Sequence, residues 1–394
     1  MPTTTSTKTP RVLLWVSVIM IAVNLRPALT SVPTVVVQIQ EEFGWNSATA
    51  GLLTTLPVVM MGLFALVVPA LAQRVGRTRT VTIALVVLTI AIGMRAFAVQ
   101  GTVLLFSAAL AGIGIALATG LVPGLVREQM PNAMGKATGA WTSSLMGGAA
   151  IASAITVPLA LWWGSWQLAL AVWAIPGAIA LVVWQLAERT TVQHVRPATL
   201  VRLRELPWRN RTAWALTAFL TINSIVFYSA LAWIAPSYAE RGWSQTDAGW
   251  LFAVFAVAQV TSALTLPAIS HRIVHRRTLF ASTIFMTVLT LLCIAWVPDF
   301  APPLVLFGLG YFLSGGFAMS LGLLSDLSPN AAAAARLTAM AFFVTYLIAA
   351  SGPFIAGTIY DAFDSWAMIF TLIAIICSAQ FIAIVPLKKG AVVA

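Results

Sequence analysis

The chain has 394 residues, 60% of them hydrophobic and only 8% charged, with a formal net charge of +11 and a mean hydropathy of +0.94. Soluble domains carry about a quarter charged residues, so a water-soluble globular protein is excluded and a membrane protein is indicated. No Gly-x-x-x-x-Gly-Lys-Ser/Thr loop, catalytic triad or metal-ligand spacing is present, which excludes ATP drive and gives no sign of an enzyme or a cofactor.

In chain order, ten polar, Thr-rich residues precede an apolar run too long for a signal-peptide core, so that run reads as a first membrane helix. Runs of about 20 residues or more, enough to cross ~30 Å of hydrocarbon, then alternate with short polar punctuation. Twelve are predicted, at 12–37, 48–71, 80–99, 102–126, 137–161, 166–187, 212–236, 247–269, 279–297, 302–325, 335–358 and 365–386. Cys293 and Cys377 fall within apolar runs and read as small core residues, neither disulfide nor metal ligands.

The basic charge is distributed by side. With twelve spans and the N-terminus inside, 19 of the 22 Lys and Arg residues fall in inner loops or inner termini, and only Arg241 falls in an outer loop. Glu41, Glu42, Glu240, Asp247, Asp299, Asp361 and Asp364 lie outside. This positive-inside pattern predicts cytoplasmic termini and explains the net charge without nucleic acid.

The chain also repeats itself at an offset of 198 residues. Gly44, Trp45, Ala50, Gly51 and Leu53 align with Gly242, Trp243, Ala248, Gly249 and Leu251. The loop Pro69–Thr80 falls on Pro267–Thr278, and Pro131-Asn132 on Pro329-Asn330. Ser165-Trp166 matches Ser365-Trp366 two residues out of register. The expected fold is therefore an all-α membrane protein of twelve transmembrane helices, arranged as two parallel-repeat six-helix halves. Residues 1–187 form the first half, the Arg-rich stretch 188–211 a cytoplasmic linker, and 212–394 the second half.

This plan, with the Pro69–Thr80 loop, resembles the major facilitator superfamily. Arg74, Gly76, Arg77 and Arg79 match its signature loop between the second and third helices, whereas Pro69 replaces the usual Gly and Gln73 the usual Asp. In that family the loop helps latch the halves in one state, and its arginines equally serve as inner anchors. Asn24-Leu25-Arg26-Pro27-Ala28, Gly112-Ile113-Gly114 with Pro123, and Tyr228–Pro236 are similar to the cyanate and nitroimidazole transporter branch. The resemblance implies a small planar substrate. It also implies a central cavity lined by helices 1, 4, 7 and 10, flanked by 2, 5, 8 and 11, with 3, 6, 9 and 12 as scaffold.

Arg26 is the candidate anchor. It lies ~20 Å along its helix, too deep to snorkel, and no acid lies in any span to pair with it. Its planar five-donor fork suits a small planar anion or a nitro group. Pro27 is expected to disturb helical geometry at Arg26 and to free a carbonyl. Further candidates for substrate contact are Asn24, Trp141, Asn223, Tyr228, Ser229, Gln259, Tyr311, Ser314 and Tyr346, with Phe227 and Trp233 able to stack on a planar ligand. Each of these is also read as interhelical glue. Arg95, near the end of the third span, is expected to snorkel to the headgroups. The Gly residues of spans four, five and ten fit either sliding or static packing, and Gly352-Pro353 marks a bend.

Without an intramembrane carboxylate or His, anion exchange, uniport or a proton carried by the substrate is favoured over a protein proton relay. The expected function is alternating-access transport of a small anion or planar polar solute across a bacterial inner membrane, by a monomer in contact with membrane lipid, without nucleic acid or ATP. Efflux of uncharged amphiphiles, with Arg26 structural, remains the alternative within transport. A non-transporting receptor or scaffold is the alternative outside it.

Overall fold

A computed structural model describes residues 9–129, 134–189, 203–270 and 276–386. Twelve helical segments long and apolar enough to cross a membrane occur among the described residues. Spans 1 to 6 are Val12–Phe43, Ser47–Val75, Arg77–Phe97, Gly101–Val122, Gly139–Trp163 and Trp166–Glu188. Spans 7 to 12 are Arg211–Glu240, Gln245–Leu266, Arg277–Trp296, Pro302–Leu324, Ala333–Phe363 and Trp366–Ala383.

Short polar side chains set the starts. Asn46 accepts from the Thr49 amide at 3.0 Å, Asn210 from Ala213 at 3.0 Å, and Asn330 from Ala333 at 2.9 Å. The Ser165 and Ser365 hydroxyls accept from Leu168 and Met368, both at 3.3 Å. Each satisfies one of the amides that a helix start leaves without a partner. Gly76 joins spans 2 and 3 as a one-residue corner with φ +96°, a conformation that L side chains rarely adopt.

Each half packs its own core. Leu25, Leu85, Leu88, Ile92 and Ile115 bury together in the first half, and Phe219, Phe252, Phe255, Leu309 and Phe370 in the second. The repeat is visible at the end of the bundle away from the termini. There the Trp166 indole donates to Glu42 at 2.5 Å and the Trp366 indole to Glu240 at 2.8 Å, tying the first and last spans of each half. The Tyr360 hydroxyl also donates to Glu240.

The halves meet at that same end. The Asp361 carboxylate accepts from the Ser47 and Ala48 amides, both at 2.8 Å, so span 11 caps span 2. Gln38 donates to Gln245 at 2.7 Å, linking span 1 to span 8. A Cβ at Gly249 would come within 2.8 Å of the Ser153 carbonyl, and one at Gly357 would strike the Ser47 carbonyl. Other glycines pack within a half: Gly112 on Pro57, Gly114 on Ala84 and Leu88, Gly310 on Phe255, and Gly148 on Val23. For these the static reading of the small-residue spans holds.

Span 11 breaks at Ala350, close to the predicted bend, where Thr55 of span 2 donates to the Ala350 carbonyl at 2.7 Å. Of the linker, 190–202 lie outside the described residues. The remainder enters span 7 through the turn Leu203–Glu205, where Trp208 donates to the Leu203 carbonyl at 2.6 Å.

Candidate functional site

Span 1 is irregular. A regular helix runs Thr9–Leu25, a single turn follows over Pro27–Thr30, then a 3-10 turn over Pro33–Val35 and a last helix over Val36–Phe43. Arg26 stands at the first junction. Contrary to expectation it keeps helical angles, φ −86° and ψ −33°. The reason is that its own carbonyl still receives the amides of Leu29 (2.9 Å) and Thr30 (3.0 Å) and the Thr30 hydroxyl (3.1 Å). The freed acceptor is the Val23 carbonyl, which has lost the amide that Pro27 lacks. Gly148 of span 5 presses directly on it, a contact that any Cβ would prevent.

Arg26 is half-buried and faces a cavity of about 190 Å³ between the two halves. Its guanidinium lies over the Phe227 ring, 5.4 Å from the centroid, and within electrostatic range of the Tyr228 and Tyr346 hydroxyls. Nη1 is buried with no hydrogen-bond partner among the described residues. The wall is built by spans 1 (Leu25, Arg26, Leu29), 2 (Met61), 4 (Ile115, Thr119), 5 (Leu145, Met146), 7 (Asn223, Ser224, Phe227, Tyr228), 8 (Gln259), 10 (Leu313, Ser314, Phe317) and 11 (Phe342, Tyr346). Spans 3, 6, 9 and 12 contribute nothing to it.

Six of the ten expected contact residues therefore share one cavity: Arg26, Asn223, Tyr228, Gln259, Ser314 and Tyr346. Asn223 donates its side-chain amide to the Leu313 carbonyl at 3.1 Å, tying span 7 to span 10. Tyr346 stacks on Phe342 at 5.6 Å and meets Tyr228 edge-on at 6.4 Å, an aromatic wall facing the cation.

Four expected contacts are off the wall. Asn24 points the other way and donates to Met20 (2.7 Å) and to Pro176 of span 6 (3.1 Å), as two residues of helical rotation require. Ser229 is buried against Gly352 of span 11. The Tyr311 and Thr265 hydroxyls share a hydrogen bond at 2.8 Å, and the Tyr311 ring stacks on Phe307. Trp141 packs on the core of the first half. Trp233 is held by the Pro353 carbonyl at 2.9 Å, away from the cavity.

Arg95 is a correction of a different kind. It does not reach headgroups but is 0% exposed. The 3-10 turn Met94–Phe97 rolls it inward, where it donates to the Ala28 carbonyl at 2.8 Å and to the Ser107 hydroxyl at 3.0 Å. In the signature loop Arg74 and Arg79 are exposed and Arg77 is half-buried, while the equivalent loop 271–275 lies outside the described residues.

Sequence reasoning missed Ser224, Thr119, Phe317 and Phe342. The repeat carried a signal for three of them. Ser224 stands 198 residues after Arg26, and Phe317 stands 198 after Thr119; both pairs line the cavity. Met61 and Gln259 form a third such pair.

The family model of the Major Facilitator Superfamily matches residues 14–241 and 222–391. The chain belongs to the major facilitator superfamily. Among its relatives in the superfamily, it is 32% identical over 371 residues to the 2-nitroimidazole transporter of Escherichia coli, covering 93% of each chain. It is 31% identical over 352 residues to the cyanate transport protein CynX of Escherichia coli, covering 89% of this chain and 90% of the relative. In fold it is similar to the crystal structure of the nucleoside transporter NupG, with a TM-score of 0.77 at 13% identity over 95% of this chain and 100% of that one. As a member of this superfamily the protein is an integral membrane transporter of small molecules, related to nitroimidazole and cyanate transporters.

Proposed function

We propose that this superfamily member carries a small anion or a small planar polar solute, of cyanate, nitrate or nitroimidazole type, across a bacterial inner membrane by alternating access. The observation that carries the proposal is the unpartnered, buried Nη1 of Arg26 on the wall of a cavity between the halves. A guanidinium acting only as a structural clamp would be expected to spend its donors on protein carbonyls. Here a planar anion or nitro group supplies the missing acceptor. Asn223, Tyr228, Gln259, Ser314 and Tyr346 meet its other end. The two Escherichia coli relatives, a 2-nitroimidazole transporter and a cyanate transport protein, support a small planar substrate.

Both termini are cytoplasmic in this proposal, on the strength of the positive-inside distribution, and the end held by Asp361 faces outward. The halves 1–187 and 212–394 rock about the linker 188–211, with Arg74, Gly76, Arg77 and Arg79 anchoring the inner side as one latch. The carrier works as a monomer. With the carboxylates of the spans confined to their ends and His194, His271 and His275 outside the spans, it runs as an exchanger or uniporter, or moves a proton only on its substrate.

The test is uptake of labelled cyanate and of 2-nitroimidazole by the purified protein in liposomes. Arg26→Gln is expected to abolish uptake of the preferred probe while leaving expression and membrane insertion intact. Wild-type rates in that variant would refute the anchor.

A further inference from the structure

We propose that Arg95 is a positioning residue for the substrate site, gripping the carbonyl of Ala28 and so fixing the broken turn that aims Arg26 into the cavity. The inference rests on Arg26 being the anchor and goes beyond it, because Arg95 belongs to a span that contributes nothing to the cavity wall.

The placement of Arg95 is costly. It is fully buried, both of its hydrogen-bond partners are neutral, and its Nη1 has none among the described residues. A cation buried in a membrane protein without a counter-ion is among the least favourable arrangements available to a side chain. An apolar residue would fill the same space more cheaply, so the guanidinium is retained for what its fork does.

One arm of that fork reaches Ala28, two residues past Arg26 and inside the single turn Pro27–Thr30. This turn closes on itself through the Arg26 and Pro27 carbonyls but is weakly tied to the helices on either side. Pro27 has no amide to give, and Pro33 interrupts the helix again six residues later. The other arm is anchored: Ser107 of span 4 receives the Arg95 Nε at 3.0 Å and donates onward to the Ala91 carbonyl at 2.7 Å. Span 3, span 4 and the broken turn of span 1 are thereby joined through one side chain. A shift of that turn moves Arg26, which sits at its N-terminal junction.

The experiment uses the full chain in detergent, with cyanate and 2-nitroimidazole as probes in calorimetric titrations. The variants are Arg95→Lys, which loses the fork, and Ser107→Ala, which leaves Arg95 in place but releases its Nε. Each is made in the native chain and in an Arg26→Lys background. Each single change is expected to weaken probe binding by about tenfold in the native chain. In the Arg26→Lys background the same changes are expected to cost little more, because they act through the residue already altered. An equal loss in both backgrounds, or no loss in either, overturns the proposal.

A second readout needs no substrate. Phenylglyoxal modifies exposed guanidinium groups, and its rate at Arg26 is followed by mass spectrometry. Arg95→Lys or Ser107→Ala should change that rate at least about threefold, and an unchanged rate overturns the proposal. If neither probe binds the native protein, the anchor reading fails on its own, and the labelling rate still decides the role of Arg95.

Discussion

The Arg26 guanidinium leans on the Phe227 ring while its Nη1 stays without a protein partner. A cation over an aromatic face gains roughly 0.5–2 kcal/mol, more as it is desolvated. Phe227→Leu keeps an apolar surface but removes that rest, so probe affinity is expected to fall by about 2- to 30-fold with the fold intact, measured by calorimetric titration. Arg26 was legible in the sequence because a cation in an apolar run has few explanations. Its polar neighbours were legible only by span. Inside a membrane protein both the lipid side and the packed side of a helix are apolar, so hydropathy does not say which way Ser229 or Tyr311 turns. Arg95 was misjudged for a related reason: its depth was counted along a straight helix, and the 3-10 turn that rolls it inward leaves no mark in composition.

Among the elements, helix starts were written locally and helix meetings were not. The Asn and Ser caps lie within three residues of the amides they satisfy. The cap that Asp361 places on span 2 joins residues 314 positions apart, and nothing in either segment announces the other. A carboxylate at an exposed helix start is worth about 1 kcal/mol. Asp361→Asn is therefore expected to shift the balance between closed and open forms at that end by roughly fivefold toward open. Spin labels at Glu41 and Phe363 should report a larger population of long distances. An unchanged distribution would show that the cap does not bias the halves.

For the whole molecule, the duplication was readable because the matched loops are polar and specific, whereas the apolar spans between them say little. Close approach between the halves depends on glycine at that same end of the bundle. A side chain at Gly249 or Gly357 would meet a carbonyl of the opposite half. Gly249→Val and Gly357→Val are expected to hold that end apart, leaving probe binding within about threefold of native while cutting liposome flux by roughly tenfold or more. Flux that survives both changes would place the moving contact elsewhere. The two halves are alike in plan but unlike in charge, since Arg26 in one corresponds to Ser224 in the other and both line the cavity. The consequence is electrical. Positions related by an axis along the membrane normal lie at equal depth, so the dipole of a ligand reaching from Arg26 straight across to the second half would lie across the bundle. Membrane voltage acts along the normal, at about 2.3 kcal/mol per elementary charge per 100 mV. It therefore does no work on the orientation of such a ligand, and voltage is felt only through the net charge of the loaded and unloaded carrier.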